Sequence, residues 1–263
     1  MRLVLCRGGL PAVAALAAAL LPAATAEAAT RQPVATPPAE TGQLAAETGA
    51  ALQDFQLSRP AENLWRWAFV ERATDARAFP AAAAPVIARV STRTPERTRE
   101  MLPLLERRSA EGEVWVRARL PVLPNGTTGW VRRDKLSGYT IARTHLIVDR
   151  RRFTARLERG GRIVFKARIG IGKRRWPTPR GSFMVRNRLS GFDDPIYGAL
   201  AFGTTARSAT LTDWPGGGFI GIHGTNRPEI LPGRVSHGCI RMSDRNILAL
   251  DRRMPLGTQV TIR

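Results

Sequence analysis

Cys239, His223 and His237 are the residues whose types and spacing could do covalent chemistry in this chain. They lie in one segment, Ile222 to Met242, which reads IHGTNRPEILPGRVSHGCIRM and holds two of the three histidines. A thiol is a poor nucleophile until it loses its proton, and free cysteine does so near a pKa of about 8.5. A neighbouring imidazole can take that proton and hold the thiolate as an ion pair. His237 stands two residues before Cys239, and on an extended strand such residues share a face. His223 ends an earlier glycine-spaced stretch, and a loop with Pro228, Pro232 and Gly233 can return the chain beside it. Gly238 bares the backbone next to the thiol, so amide N–H groups can face a developing oxyanion. Other readings of the same residues stay open. A lone cysteine can be an inert buried thiol. A histidine can be a core group with both nitrogens bonded. The set His145, His223, His237 and Cys239 also suits zinc, although no carboxylate cluster accompanies it.

The elements that must position these groups read mostly as strands. His145 to Val148 is one; Phe153 to Glu158 and Arg162 to Ile169 form a hairpin around Gly160-Gly161. Gly181 to Val185, Gly218 to His223 and Thr258 to Ile262 are further strands. Ser243 can cap one short helix with Ile247, Leu248 and Met254 on its apolar side, stopped at Pro255 and Gly257. Upstream, Val114 to Leu120 alternates with period two and Thr128 to Val131 follows the turn signal Asn125-Gly126. Short strands broken by Pro, Asn and Gly predict a small β-barrel over 61–138, with a leading helix over Ala61 to Ala78. Residues 139–263 then form a mainly β domain with one helix near its end. Residues 30–60, rich in Ala, Thr, Pro, Gln and Glu, read as a flexible linker.

Compartment comes from the first 29 residues. Arg2 and Arg7 precede an apolar run from Gly8 to Leu21, which is short for a membrane span. Small residues follow at 24–29 and offer cleavage sites, so residues 1–29 read as a signal peptide of an exported protein, in periplasm or cell wall. Uncleaved, the same run would be a membrane anchor. Cys6 would leave with the signal and Cys239 would be the only thiol remaining, with no partner for an internal disulfide. The formal net charge of +20 draws the protein toward polyanions such as nucleic acid, an anionic membrane or an acidic wall polymer.

The segments HGTN and SHGCIRM, with IGIGKRRWPTPRGSF upstream, resemble the L,D-transpeptidase, or YkuD, family over residues 142 to 263. The stretch WVRARLPVLPNGTTGWVRRDKL resembles the bacterial SH3-like modules that accompany cell-wall enzymes. Together they imply a YkuD-like β-sandwich catalytic domain with a short helix, preceded by a small SH3-like β-barrel. The resemblance implies Cys239 as nucleophile and His223 as proton acceptor and donor, oriented by a carbonyl near Gly224. It implies that His237, Gly238 and Cys239 surround the oxyanion, and that Ser236 and Arg241 support the motif or meet a substrate carboxylate. The implied reaction joins peptidoglycan stem peptides by 3→3 cross-links through a thioester, with no metal or organic cofactor and with susceptibility to carbapenems. Water as acceptor would give an L,D-carboxypeptidase, and a protein acceptor would give wall attachment. A non-enzymatic wall-binding protein, working through the SH3-like module, is the remaining reading. Anionic wall polymers then account for the positive charge better than nucleic acid does. Arg180 departs from the family's small or neutral residue in the TPTG turn, a position that bears on substrate preference.

Overall fold

The computed structural model describes residues 54–211 and 217–263, so the expected signal peptide and most of the expected linker lie outside the described residues. The chain is mainly β, with one α-helix among the described residues. The first sheet holds β1 (Phe55–Gln56), β2 (Trp65–Phe69), β3 (Thr74–Arg77), β4 (Val86–Val90), β5 (Met101–Ala110), β6 (Glu113–Arg119), β7 (Thr128–Arg132) and β8 (Thr140–Ala142). Its order is β4-β3-β7-β6-β5-β2-β8, with β1 on β5, and every pairing is antiparallel. Alternate side chains of these strands, among them Leu102, Leu104, Val116, Ala118 and Val131, form one buried cluster.

Three expectations are corrected here. The helix over 61–78 is two strands, β2 and β3, after a single helical turn at Pro60–Glu62. Trp65, Trp67 and Phe69 recur every second residue, and that spacing puts all three on one sheet face, where Trp67 and Phe69 meet edge to face at 5.1 Å. The linker expected to reach residue 60 gives way earlier, because β1 pairs with β5 and Leu57 is buried in the core. The first sheet also continues through Ala142, past the expected change at 139, because β8 pairs with Trp65–Trp67.

The second sheet holds β9 (Thr144–Asp149), β10 (Thr154–Arg159), β11 (Arg162–Arg168), β12 (Gly170–Gly172), β13 (Gly181–Leu189), β14 (Ala201–Arg207), β15 (Phe219–His223), β16 (Gly233–Ser236), β17 (Ile240–Arg241) and β18 (Gln259–Ile262). Its order is β11-β10-β9-β18-β13-β14-β15-β17-β12-β16. The hairpin β10–β11 turns at Gly160 and Gly161, both at positive φ, as a two-residue turn requires. β13 changes partner midway: Gly181–Met184 pairs with β18 and the remainder with β14. One core cluster joins both halves, with Leu146, Val148 and Leu157 against Ile169, Phe202, Ile222 and Ile240. The helix α1 (Asp244–Asp251) buries Ile247 and Leu250 against it, and its N-cap Ser243 accepts from the Asn246 N–H.

Only Arg143 separates β8 of the first sheet from β9 of the second. The two sheets also share a small core, in which Trp65, Trp67 and Met101 of the first pack with Met184 of β13.

Candidate active site

The site is built where β15 and β17 run side by side. They pair in parallel, with Ile222 opposite Ile240 and His223 opposite Arg241. This register sets Gly221 opposite the position just before β17, which is Cys239. Gly221 and His223 are two residues apart on one strand, so the imidazole and the thiol lie on the same face as diagonal neighbours. The Gly221 N–H donates to Cys239 Sγ at 3.3 Å. A side-chain carbon placed on Gly221 would lie 3.7 Å from that sulfur and 3.9 Å from His223 Cδ2. Gly221, with no side chain, therefore leaves the space between the thiol and the imidazole open. A cavity of about 170 Å³ opens above them, lined by Tyr197, His223, Ser236, His237, Cys239 and Arg241 among others.

His223 is 2% exposed and its Nδ1 lies 2.7 Å from the Gly224 carbonyl. A carbonyl only accepts, so Nδ1 carries the proton and the lone pair of the neutral ring sits on Nε2. Burial lowers the pKa of His223 to about 4; the Gly224 and Tyr197 carbonyls and Asp244 pull upward, and Arg241 adds to the lowering. Burial pushes the Cys239 thiol above its usual range, opposed by the Gly221 N–H and by Arg241. Burial works against the charged form of each group. The same burial opposes the thiolate–imidazolium ion pair that the residue types allow.

The motif loop has its own supports. Gly238 has φ +123°, a conformation that ends the extended run at Ser236. His237 and Cys239 are thus not on one continuous strand, as their spacing suggested. His237 is exposed on the cavity rim, its ring 4.1 Å from that of Trp176. Partial burial and then Lys173, Arg241 and Arg175 lower its pKa. Ser236 is buried inside the loop: its Oγ donates to the Cys239 carbonyl at 2.6 Å and accepts from the Gly238 N–H at 3.1 Å. That occupies the Gly238 amide, one of the expected oxyanion donors. Arg241 is largely buried, lines the cavity, and has no carboxylate within 4 Å among the described residues; its Nε is buried without a hydrogen-bond partner there.

Several residues escaped sequence reasoning. Thr178, 1% exposed, accepts from the Gly172 N–H at 2.9 Å and donates to the Gly238 carbonyl at 2.6 Å, which ties β12 to the motif loop. It lies in the WPTPRG stretch that the resemblance already covered. Asp244 Oδ1 accepts from the Ala199 and Thr225 N–H groups, each at 3.1 Å, and so ties the loop before β14 to the chain just after His223. The Tyr197 ring stands 5.3 Å from that of His223; nothing local in the sequence points to it. His145 lies elsewhere, on β9, its Nε2 at 2.7 Å from Thr261 Oγ1 and its ring against Trp65. Among the described residues no three His, Cys, Asp or Glu side chains converge as a metal site would require.

Against known proteins, the chain matches the family model of the YkuD L,D-transpeptidase catalytic domain over residues 143–262. It is similar to the YkuD protein of Bacillus subtilis, at 34% identity over 124 residues that make up 47% of this chain and 68% of that protein. Its similarity to the YkuD protein of Bacillus licheniformis is 38% over 109 residues, 41% of this chain and 59% of that one. A solved Bdellovibrio bacteriovorus structure aligns at 28% identity and a TM-score of 0.37, over 46% of this chain and 47% of that one. The chain belongs to the YkuD family of L,D-transpeptidase catalytic domains. It spans between about half and two thirds of the length of the curated relatives it matches.

Proposed function

We propose that the protein is an exported peptidoglycan L,D-transpeptidase that forms 3→3 cross-links through a thioester on Cys239. The observation that carries this reading is the shared face of Cys239 and His223, with Nδ1 held by the Gly224 carbonyl and the lone pair left on Nε2. The donor is a stem tetrapeptide whose last bond joins the third residue, commonly diaminopimelate, to D-Ala. The S–H proton passes to His223 as sulfur attacks that carbonyl carbon. The Cys239 amide supplies an oxyanion donor, since the Gly238 amide is engaged with Ser236; one such donor is typically worth about 3 kcal/mol. The C–N bond then breaks, and the proton on His223 goes to the departing D-Ala amine. An amine of a second stem attacks the thioester, gives its proton to His223, and forms the new amide as the C–S bond breaks and sulfur regains the proton. Arg241, buried and without a carboxylate partner among the described residues, would meet a substrate carboxylate. His237 shapes the rim. Water in place of the amine would give carboxypeptidase activity, and a protein amine would give wall attachment. The first sheet is an SH3-like module that faces the wall, and anionic wall polymers are drawn to the basic surface.

The test is to incubate the full protein with a disaccharide tetrapeptide and follow it by mass spectrometry. A covalent adduct that disappears in Cys239→Ala, together with a cross-linked dimer, is expected. Adduct formation that survives in Cys239→Ala would sink the assignment of the nucleophile. No adduct with the unaltered protein would sink the reaction itself.

A further inference from the structure

A second cavity, of about 480 Å³, lies between the two sheets and shares a wall with the catalytic one. The shared wall is Phe219, which lines both. Arg89, Arg93, Leu120, Pro121 and Val122 of the first sheet and its loops line the far side. None of these five residues falls within the stretch 143–262 that the family pattern covers.

The groove is held open by contacts across the two sheets. Arg186 of β13 is 0% exposed at its side chain and pairs with Glu96 at 2.8 Å and Glu100 at 3.5 Å, both on the loop before β5. Asn187 donates to Glu96 at 3.1 Å and to Thr98 at 3.2 Å. On the other flank Asn125 grips the backbone of Arg207 twice, donating to its carbonyl at 2.7 Å and accepting from its N–H at 2.9 Å. Phe219 is fixed between these clamps, with the Arg186 guanidinium 3.6 Å and the Arg207 guanidinium 5.0 Å from its ring centre. A preformed wall of this kind needs no ordering when a ligand arrives.

The charge on the groove is positive. Glu100 lines it and shares the single Arg186 guanidinium with Glu96, so it offsets part of that charge. Arg89 is 90% exposed at its side chain and shares Asp75, at 3.6 Å, with Arg77. The Arg93 guanidinium donates to the Arg97 carbonyl, at 2.9 Å, and has no carboxylate within 4 Å among the described residues. An apolar floor of Leu120, Val122 and Phe219 under two exposed guanidiniums fits an extended peptide with small apolar side chains and free carboxylates.

We infer that this groove binds the acceptor stem peptide, leading its amine past Phe219 to the thioester on Cys239. The inference rests on the transpeptidase reading above and assigns the first sheet a direct part in the second half-reaction.

The experiment separates the two half-reactions in the full-length protein. The donor is a disaccharide tetrapeptide and the acceptor a second stem peptide of the same chemistry, added at rising concentration. The variants are Arg89→Glu with Arg93→Glu, and Val122→Asp; all three positions are on the groove and away from the sulfur. The Cys239 adduct, formed without acceptor, is the internal reference. The expected result is a tenfold or larger fall in the ratio of cross-linked to hydrolysed product, recovered in part at high acceptor concentration, with adduct formation within about twofold of the unaltered protein. An unchanged ratio with normal adduct formation would overturn the acceptor assignment alone. Adduct formation falling in parallel would mean the groove takes the donor, which also overturns it. No adduct in the unaltered protein would remove the transpeptidase reading and this inference together.

Discussion

Replacing His223 by Gln should erase a defined part of the protein's response to acid. Burial moves the ring from an ordinary value of 6.5 to about 4. The unfolded chain therefore binds a proton at this residue between those two values while the folded chain does not, so folding is penalised as pH falls through that window. The contribution is fully present above pH 6.5 and is lost as pH drops toward 4. A displacement of this size corresponds to about 3 kcal/mol, since each pH decade is worth about 1.4 kcal/mol. For a chain of this size that is about 10 °C in Tm. Thermal melts at steps from pH 7.5 to 4.5 should show the unaltered protein losing about that much more than His223→Gln, which has nothing to titrate at the position. His145 and His237 also have lowered values, but both are present in each protein and cancel in the difference. Parallel pH profiles would refute the argument that the site is dry enough to keep the ring neutral. The same displacement predicts that the acylation rate holds down to about pH 5, with its acid limb near 4.

Two further predictions concern the supports of the site. Thr178→Val keeps the shape but removes the hydroxyl between the Gly172 N–H and the Gly238 carbonyl, leaving two buried polar groups without a partner; a loss of about 2–4 kcal/mol in denaturant titration is expected, with Thr178→Ser close to the unaltered protein. Arg186→Met leaves Glu96 and Glu100 close together without their cation, one of them buried, and should cost about 3–5 kcal/mol by the same titration; a stability within 1 kcal/mol of the original would show that the cross-sheet clamp carries little.

Much of this was legible in the chain because short-range patterns suffice for it. Val114 to Leu120 alternates and becomes β6, Gly160-Gly161 becomes a hairpin turn, and Ser243 caps the helix. The chemical segment is compact enough that Cys239 and both cavity histidines come from one stretch. The misread helix at 61–78 had its answer in the alternation of Trp65, Trp67 and Phe69, which outweighs the weaker helical preference of the residues around them. What sequence could not supply is contact across long separations. Tyr197 and Asp244 reach His223 only because β14, β15 and α1 are brought together by the sheet order. Phe219 has one guanidinium on it from its own hairpin partner Arg207 and another from Arg186, 33 residues earlier on β13. The direction in which burial moves both groups was likewise hidden, since residue types give the pair and not its surroundings.

The single residue Arg143 between β8 and β9 has a mechanical consequence. A joint this short, backed by Trp65, Trp67 and Met101 packed on Met184, leaves no slack. Whatever the first sheet grips is held at a set offset from the sulfur, as between the jaws of a calliper. A fragment beginning at residue 143 would lose the gauge along with the cover over Met184.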